Sequence, residues 1–128
     1  MHRYDGVVAD ARTPEELRAA VGEGLAATLP ADAVMHRLWY DLRSQSLFEE
    51  SFRADVADID DSLQQMIWRV VSAYARFTGT EPTCTPSFAY AAFDGLFQQA
   101  LLRYLSGSGT ALDDLRSGAG DLLRRLFA

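Results

Sequence analysis

The sequence has no lysine, no asparagine and a single cysteine among its 128 residues. One thiol cannot form an internal disulfide, so the chain reads as a cytoplasmic protein. All 12 basic residues are arginine, against 18 acidic ones, for a net charge of −6. The arginine-only pattern reflects codon usage rather than function. An acidic chain lacks the clustered positive charge that gripping nucleic acid requires. No apolar run approaches the roughly 20 residues of a membrane span, so no membrane partner is expected. The first ten residues hold two acids and no apolar block, so no signal peptide is read there. The motifs GxSxG, HExxH, CxxC, GxGxxG and the P-loop are all missing. No nucleophile, base and orienter converge, so the chain is not expected to be an enzyme and no cofactor is implied.

What the sequence does have is apolar substance: 48% hydrophobic residues, with 7 Phe, 5 Tyr and 2 Trp. That is a globular composition, enough for one domain spanning residues 1–128. The strongest periodic signal runs from Phe48 to Phe77. Apolar residues fall at Phe48, Phe52, Val56, Ile59, Leu63, Met66, Val70, Tyr74 and Phe77, a mean step of about 3.6. This spacing predicts one long helix, about 45 Å at about 1.5 Å per residue. Ser46 and Glu49 form a capping-box pattern at its start, and Gly79 followed by Pro82 marks its end. Asp58, Asp60 and Asp61 lie on its wet face. They read as solvated acids rather than a metal site, because no histidine joins them and the calcium-loop spacing and glycine are missing.

Shorter helices are expected around it. Residues 1–12 show no clear period and read as the end of a helix beginning upstream. Thr13-Pro14-Glu15-Glu16 announces a helix with the stripe Leu17, Val21, Leu25 and Leu29, ended by Pro30. Asp32 caps a second helix to about Ser44, with the rows Val34–Leu38–Leu42 and Met35–Trp39. Thr85-Pro86 begins a helix to about Leu105 that is apolar on nearly all sides, its only charges after the start being Asp94 and Arg103. Such a helix is expected to be buried on nearly all sides, one of them by a second molecule. Ala89, Ala91, Ala92, Gly95 and Ala100 are small enough for close approach. After Gly107-Ser108-Gly109, Thr110 caps a last helix with Leu112, Leu115, Ala119, Leu122 and Leu126 at a mean step of about 3.5, a coiled-coil-like seam. Gly118 and Gly120 either loosen that helix or permit a close crossing. No strand pattern occurs, so the fold class is all-α, a bundle of five to six helices.

Aromatic residues concentrate on three successive helices, which is how an apolar pocket is built in a helical domain. His36, Trp39, Tyr40, Arg43, Phe52, Trp68 and Phe93 are the candidate ligand-binding residues, with Arg43 and His36 as polar anchors. Each also has an ordinary reading as core or boundary. Trp68 lies roughly opposite the Phe48–Phe77 stripe. Cys84 sits in a predicted loop with no adjacent basic group to activate it.

The segment Ala92-Phe93-Asp94-Gly95-Leu96-Phe97-Gln98-Gln99-Ala100-Leu101-Leu102 resembles the A-x-D-G-L-x-x-Q-A-L-L helix near the end of TetR-family (tetracycline-repressor-like) transcriptional regulators. Arg37 to Arg43, followed by a short corner and a long acidic and aromatic helix, is similar to that family's middle helices, closest to the betaine-repressor-like variety. The resemblance covers residues 13 to the end. It implies an effector-binding and dimerisation domain, with the last two long helices of each subunit pairing into a four-helix bundle. The implied interface residues are Ala92, Gly95, Leu96, Gln99, Leu102, Leu112, Leu115, Ala119 and Leu122. A small apolar or aromatic effector then shifts the population of two arrangements by its coupling free energy. No helix-turn-helix is present, so this is either a C-terminal domain apart from its head or a headless relative, and it is expected not to bind DNA by itself. The alternative function is a helical interaction protein forming homo- or heterodimers without a small ligand.

Overall fold

The computed structural model describes Gly6 and residues 8–128. His2 lies outside that range, as does most of the expectation for residues 1–12; residues 8–10 are helical. Among the described residues the fold is all-α, with no strand. Five α-helices follow one another: α1 (Pro14–Ala31), α2 (Ala33–Gln45), α3 (Arg53–Thr78), α4 (Pro86–Leu105) and α5 (Ala111–Arg125). No helix is long and apolar enough to cross a membrane.

Local chemistry sets several of the boundaries. The Thr13 hydroxyl accepts from the Glu16 N–H at 3.1 Å, and the Glu16 carboxylate reaches back to accept from the Arg12 N–H at 3.1 Å. Thr85 caps α4 the same way, accepting from the Phe88 N–H at 3.2 Å, with Pro86 in the first turn. Both pairs satisfy amides that a helix start leaves open. Gly79 closes α3 at φ 69°, a left-handed conformation that glycine adopts at no steric cost.

Three boundaries differ from expectation. Helix α1 runs one residue past Pro30, because a proline in the last turn forfeits a single hydrogen bond while Asp32 N–H still reaches the Thr28 carbonyl at 3.0 Å. The Ser46–Glu49 capping box does not form. Ser46 instead donates to the Arg43 carbonyl at 2.6 Å, ending α2. The chain then passes through a 3₁₀ turn, Glu50–Phe52, before α3 begins at Arg53. Phe48, expected to open the buried stripe, is 86% exposed.

The core is built by four helices. Leu17, Val21, Leu25 and Leu29 of α1 are all buried, as the sequence spacing requires. They meet Leu115, Ala119 and Leu123 of α5 in the most extensive helix–helix contact of the molecule. Helix α3 adds Met66, Ile67, Val70, Val71 and Tyr74, and α4 adds Phe93, Phe97 and Leu101. Helix α2 buries none of its residues.

Glycines set how closely α1 and α5 approach. A Cβ at Gly22 would overlap the carbonyl oxygen of Arg116, and one at Gly120 would stand 3.4 Å from the carbonyl of Arg18. Of the two roles open to Gly120, close crossing is the one observed. Gly22, which the sequence did not single out, is the tighter partner. An ion pair from Arg116 to Glu23 ties the same two helices at the surface. The far end of the chain is also secured. Thr83 donates from its N–H at 2.8 Å and from its hydroxyl at 3.0 Å to the Leu126 carbonyl, while the Tyr74 and Phe127 rings lie 5.0 Å apart.

Gly22→Ala tests the crossing. Alanine gains about 1 kcal/mol in helix propensity over glycine, but the clash with backbone is overpacking of the kind that costs about 1–3 kcal/mol. We expect a net loss of about 1–2 kcal/mol in urea unfolding, where a stabilised protein would refute the close approach.

Candidate functional site

The most elaborate polar arrangement joins α2, α3 and α4. Asp94, one of the few charges on α4, accepts from Tyr40 Oη at 2.9 Å and from an Arg43 guanidinium nitrogen. The other guanidinium nitrogen lies 3.6 Å from Asp60 Oδ1 on α3. Asp60 in turn accepts from Tyr90 Oη at 2.6 Å. The guanidinium also sits about 6 Å from the ring centroids of Trp39 and Tyr90, within cation–π reach. One arginine thus bridges two carboxylates on two helices, and each carboxylate carries a tyrosine.

The electrostatics follow from this geometry. Burial pushes the Tyr40 phenol upward, and the charge of Asp94 and its hydrogen bond push it further. Burial does the same to Tyr90, followed by the hydrogen bond to Asp60 and the charge of Asp94. Both phenols stay protonated donors throughout the ordinary pH range. For Arg43, burial opposes the charge, but the hydrogen bond and charge of Asp94, with that of Asp60, outweigh it and the shift is upward.

The seven candidate ligand residues do not line one cavity. Trp39, Tyr40 and Arg43 come together, with Tyr90 as an unforeseen fourth member. His36 is half-buried elsewhere. Its Nε2–H donates to the Thr28 carbonyl at 3.0 Å, and its ring meets Phe97 edge-on at 4.8 Å. Phe52 is half-buried in the 3₁₀ turn. Phe93 is 3% exposed and belongs to the core. Trp68 lies apart from these, half-buried beside an open groove of about 670 Å³ on the outer side of α3, with Gln64, Arg69, Ser72, Arg76 and Pro86. The gap expected among the middle helices is therefore filled by core packing and by the Arg43 cluster.

Asp60, Tyr90 and Asp94 belong to the cluster without being among the candidate ligand residues. Asp60 is half-buried, unlike Asp58 and Asp61, which are exposed as the wet face of α3 predicts. Among the described residues, no group of three or more His, Cys, Asp or Glu is placed to hold a metal. The signal for Asp94 was present: a lone acid in an apolar helix needs a partner when buried. Cys84 is half-buried, and burial pushes its thiol up, away from the reactive thiolate.

The nine candidate interface residues divide by exposure. Gly95, Gln99 and Leu102 are exposed on α4, whereas Ala92, Leu96, Leu112 and Leu122 are half-buried. Leu115 and Ala119 are 1% and 0% exposed, packed inside the chain, and have no surface to offer a second subunit. The α5 seam thus faces inward, and Leu123 rather than Leu122 completes it. Helix α4 is not buried all round. Phe88, Ala91, Gly95, Gln99 and Leu102 form an exposed stripe at helical spacing, and nothing lies within 4 Å of a Cβ built on Gly95.

Comparison with protein-family models, with curated proteins and with solved structures finds no match.

Two outcomes are expected from the cluster. Asp94→Asn should cost about 1–3 kcal/mol, the scale for charge-assisted hydrogen bonds, whereas Asp61→Asn on the exposed face should stay within about 0.5 kcal/mol; equal losses in urea unfolding would deny the cluster a structural role. The tyrosines set a pH limit. Their folded-state values lie above the ordinary value of about 10, so their contribution is present below about pH 10 and is lost as pH rises further. The urea midpoint should therefore fall as pH passes about 10, less so in a Tyr40→Phe/Tyr90→Phe double variant.

Proposed function

We propose that this chain is the dimerisation and effector-binding domain of a TetR-like transcriptional regulator, with DNA contacted only through a helix-turn-helix head outside this sequence. The observation that supports it most is the uncovered stripe of α4. It lies on the helix that carries the resemblance, from Ala92 to Leu102, and its centre is a glycine open to close approach. An exposed row of Phe88, Ala91, Gly95 and Leu102 is a surface that a second copy would bury. The half-buried Leu112 and Leu122 of α5 extend the apolar character of the chain's last two helices toward the same role. The groove beside Trp68 takes the place of the expected inner pocket as the effector site. It is an open groove of about 670 Å³ in which the Trp68 ring offers an apolar face among the polar Gln64, Arg69, Ser72 and Arg76.

A second reading, an interaction protein without a small ligand, draws support from the filled core around Phe93. A thermal-shift screen of apolar and aromatic compounds separates the two, because an effector raises the melting temperature by mass action and a pure interaction protein responds to none.

The dimer is tested by light scattering coupled to gel filtration. A dimer is expected at tens of micromolar, and a monomer there removes the first reading and the homodimeric form of the second. Gly95→Leu meets no obstacle within the monomer, so its helicity should persist while the dimer dissociation constant rises at least about ten-fold. An unchanged dimer would move the interface away from this stripe.

A further inference from the structure

We propose that helix α2 is a separable arm, latched onto the bundle by Arg43 between Asp60 and Asp94 and released as a unit when that latch is broken.

The first support is how little apolar burial holds α2. Every other α-helix contributes buried side chains, down to 0% exposure for Leu17, Val71, Ala89 and Leu123. Helix α2 contributes none, and its Val34, Met35 and Leu38 are 68%, 66% and 64% exposed. The hydrophobic effect scales with area removed from water, so it does little to keep this helix down. The second support is where its attachments lie. Arg43 and Tyr40 reach α3 and α4 through carboxylates, and His36 reaches the Thr28 carbonyl at the end of α1. The principal contact is ionic and the others are hydrogen bonds, beside which only the Tyr40 ring against the core and the His36 ring against Phe97 add packing. A segment with few buried apolar contacts opens at a lower free energy than the whole molecule.

The third support is the pair of joints. Asp32, between α1 and α2, leaves helical geometry at φ −120° and ψ 31°, and its carboxylate accepts from the Thr28 hydroxyl of α1 at 3.2 Å rather than capping α2. At the other end the chain turns through Leu47 and Phe48, which are 72% and 86% exposed, into the 3₁₀ turn. Both joints leave regular helix geometry and are held by hydrogen bonds, from Thr28 to Asp32 at one end and from Arg53 to the Ser46 and Leu47 carbonyls at the other, rather than by apolar packing. Lifting the arm uncovers Tyr90 and Phe97 and leaves Asp94, the neighbour of Gly95, without its arginine. The latch is a property of the folded monomer and stands whether or not the chain dimerises.

Hydrogen–deuterium exchange read by mass spectrometry on the full chain tests it. Peptides within residues 33–48 should exchange at least about ten-fold faster than peptides of α1 and α5. Raising sodium chloride from about 50 mM to about 500 mM should screen the latch and accelerate the α2 peptides alone. Arg43→Gln and Asp94→Asn should each add a further acceleration of about ten-fold in α2, leaving α1 and α5 unchanged. Exchange of α2 in step with α1 and α5 would overturn the proposal. So would variants that accelerate every helix equally. The exchange of the unaltered protein decides the matter by itself if a variant does not fold: α2 peptides exchanging faster than those of α1 and α5 support the arm, and α2 exchanging in step with them overturns it.

Discussion

The close crossing of α1 and α5 is the constraint from which the rest of the arrangement follows. With Gly22 against the Arg116 backbone and Gly120 against that of Arg18, the two helices come nearer than side chains would allow. That proximity turns the apolar row of α5 inward, where Leu115, Ala119 and Leu123 interlock with the row from Leu17 to Leu29. With its buried row committed to the first helix, the last helix covers only one side of α4. One side of α4 closes onto α3 and α5, and the opposite side is left to water. The exposed stripe on α4 is thus a by-product of where the glycines are.

The same allocation explains the character of α2. Four helices bury one another's apolar rows, and α2 adds no buried side chain to them. Its attachment is written in arginine, tyrosine and aspartate instead. Such contacts are directional and soften with ionic strength, unlike the area-dependent burial that holds α1. The molecule therefore combines an interior held by packing and a flank held by charge.

The sequence made the helical class and several boundaries legible. Thr13 with Pro14, Thr85 with Pro86, and Gly79 act through bonds to residues within a turn of themselves, so local reading suffices for them. The row of α1 was equally plain, because a narrow apolar stripe has only one direction to face. The failures share a cause. Periodicity says which residues lie on one side of a helix but not what stands opposite. Val34 and Leu38 keep helical spacing and remain exposed, since no neighbour reaches them. Phe48 continues the rhythm of α3 by number while the backbone breaks before Arg53. Asp60 lies among exposed acids and differs from them only because Tyr90 and Arg43 arrive from other helices. The candidate pocket failed for the same reason: Phe93 and Trp68 were assigned to one gap, and their helices turn them to separate places.

The tie from Thr83 to Leu126 bears on the order of folding. It joins residues 43 positions apart and, with Phe127 against Tyr74, closes α4 and α5 into a ring bordered by the end of α3. Closing a loop of that size carries only a modest entropy cost, which rises slowly with length. Pairing α1 with α5 spans nearly the whole chain and must wait for a longer search. The C-terminal hairpin can therefore assemble early as a platform. Helix α1 is then among the last of the five to find its place.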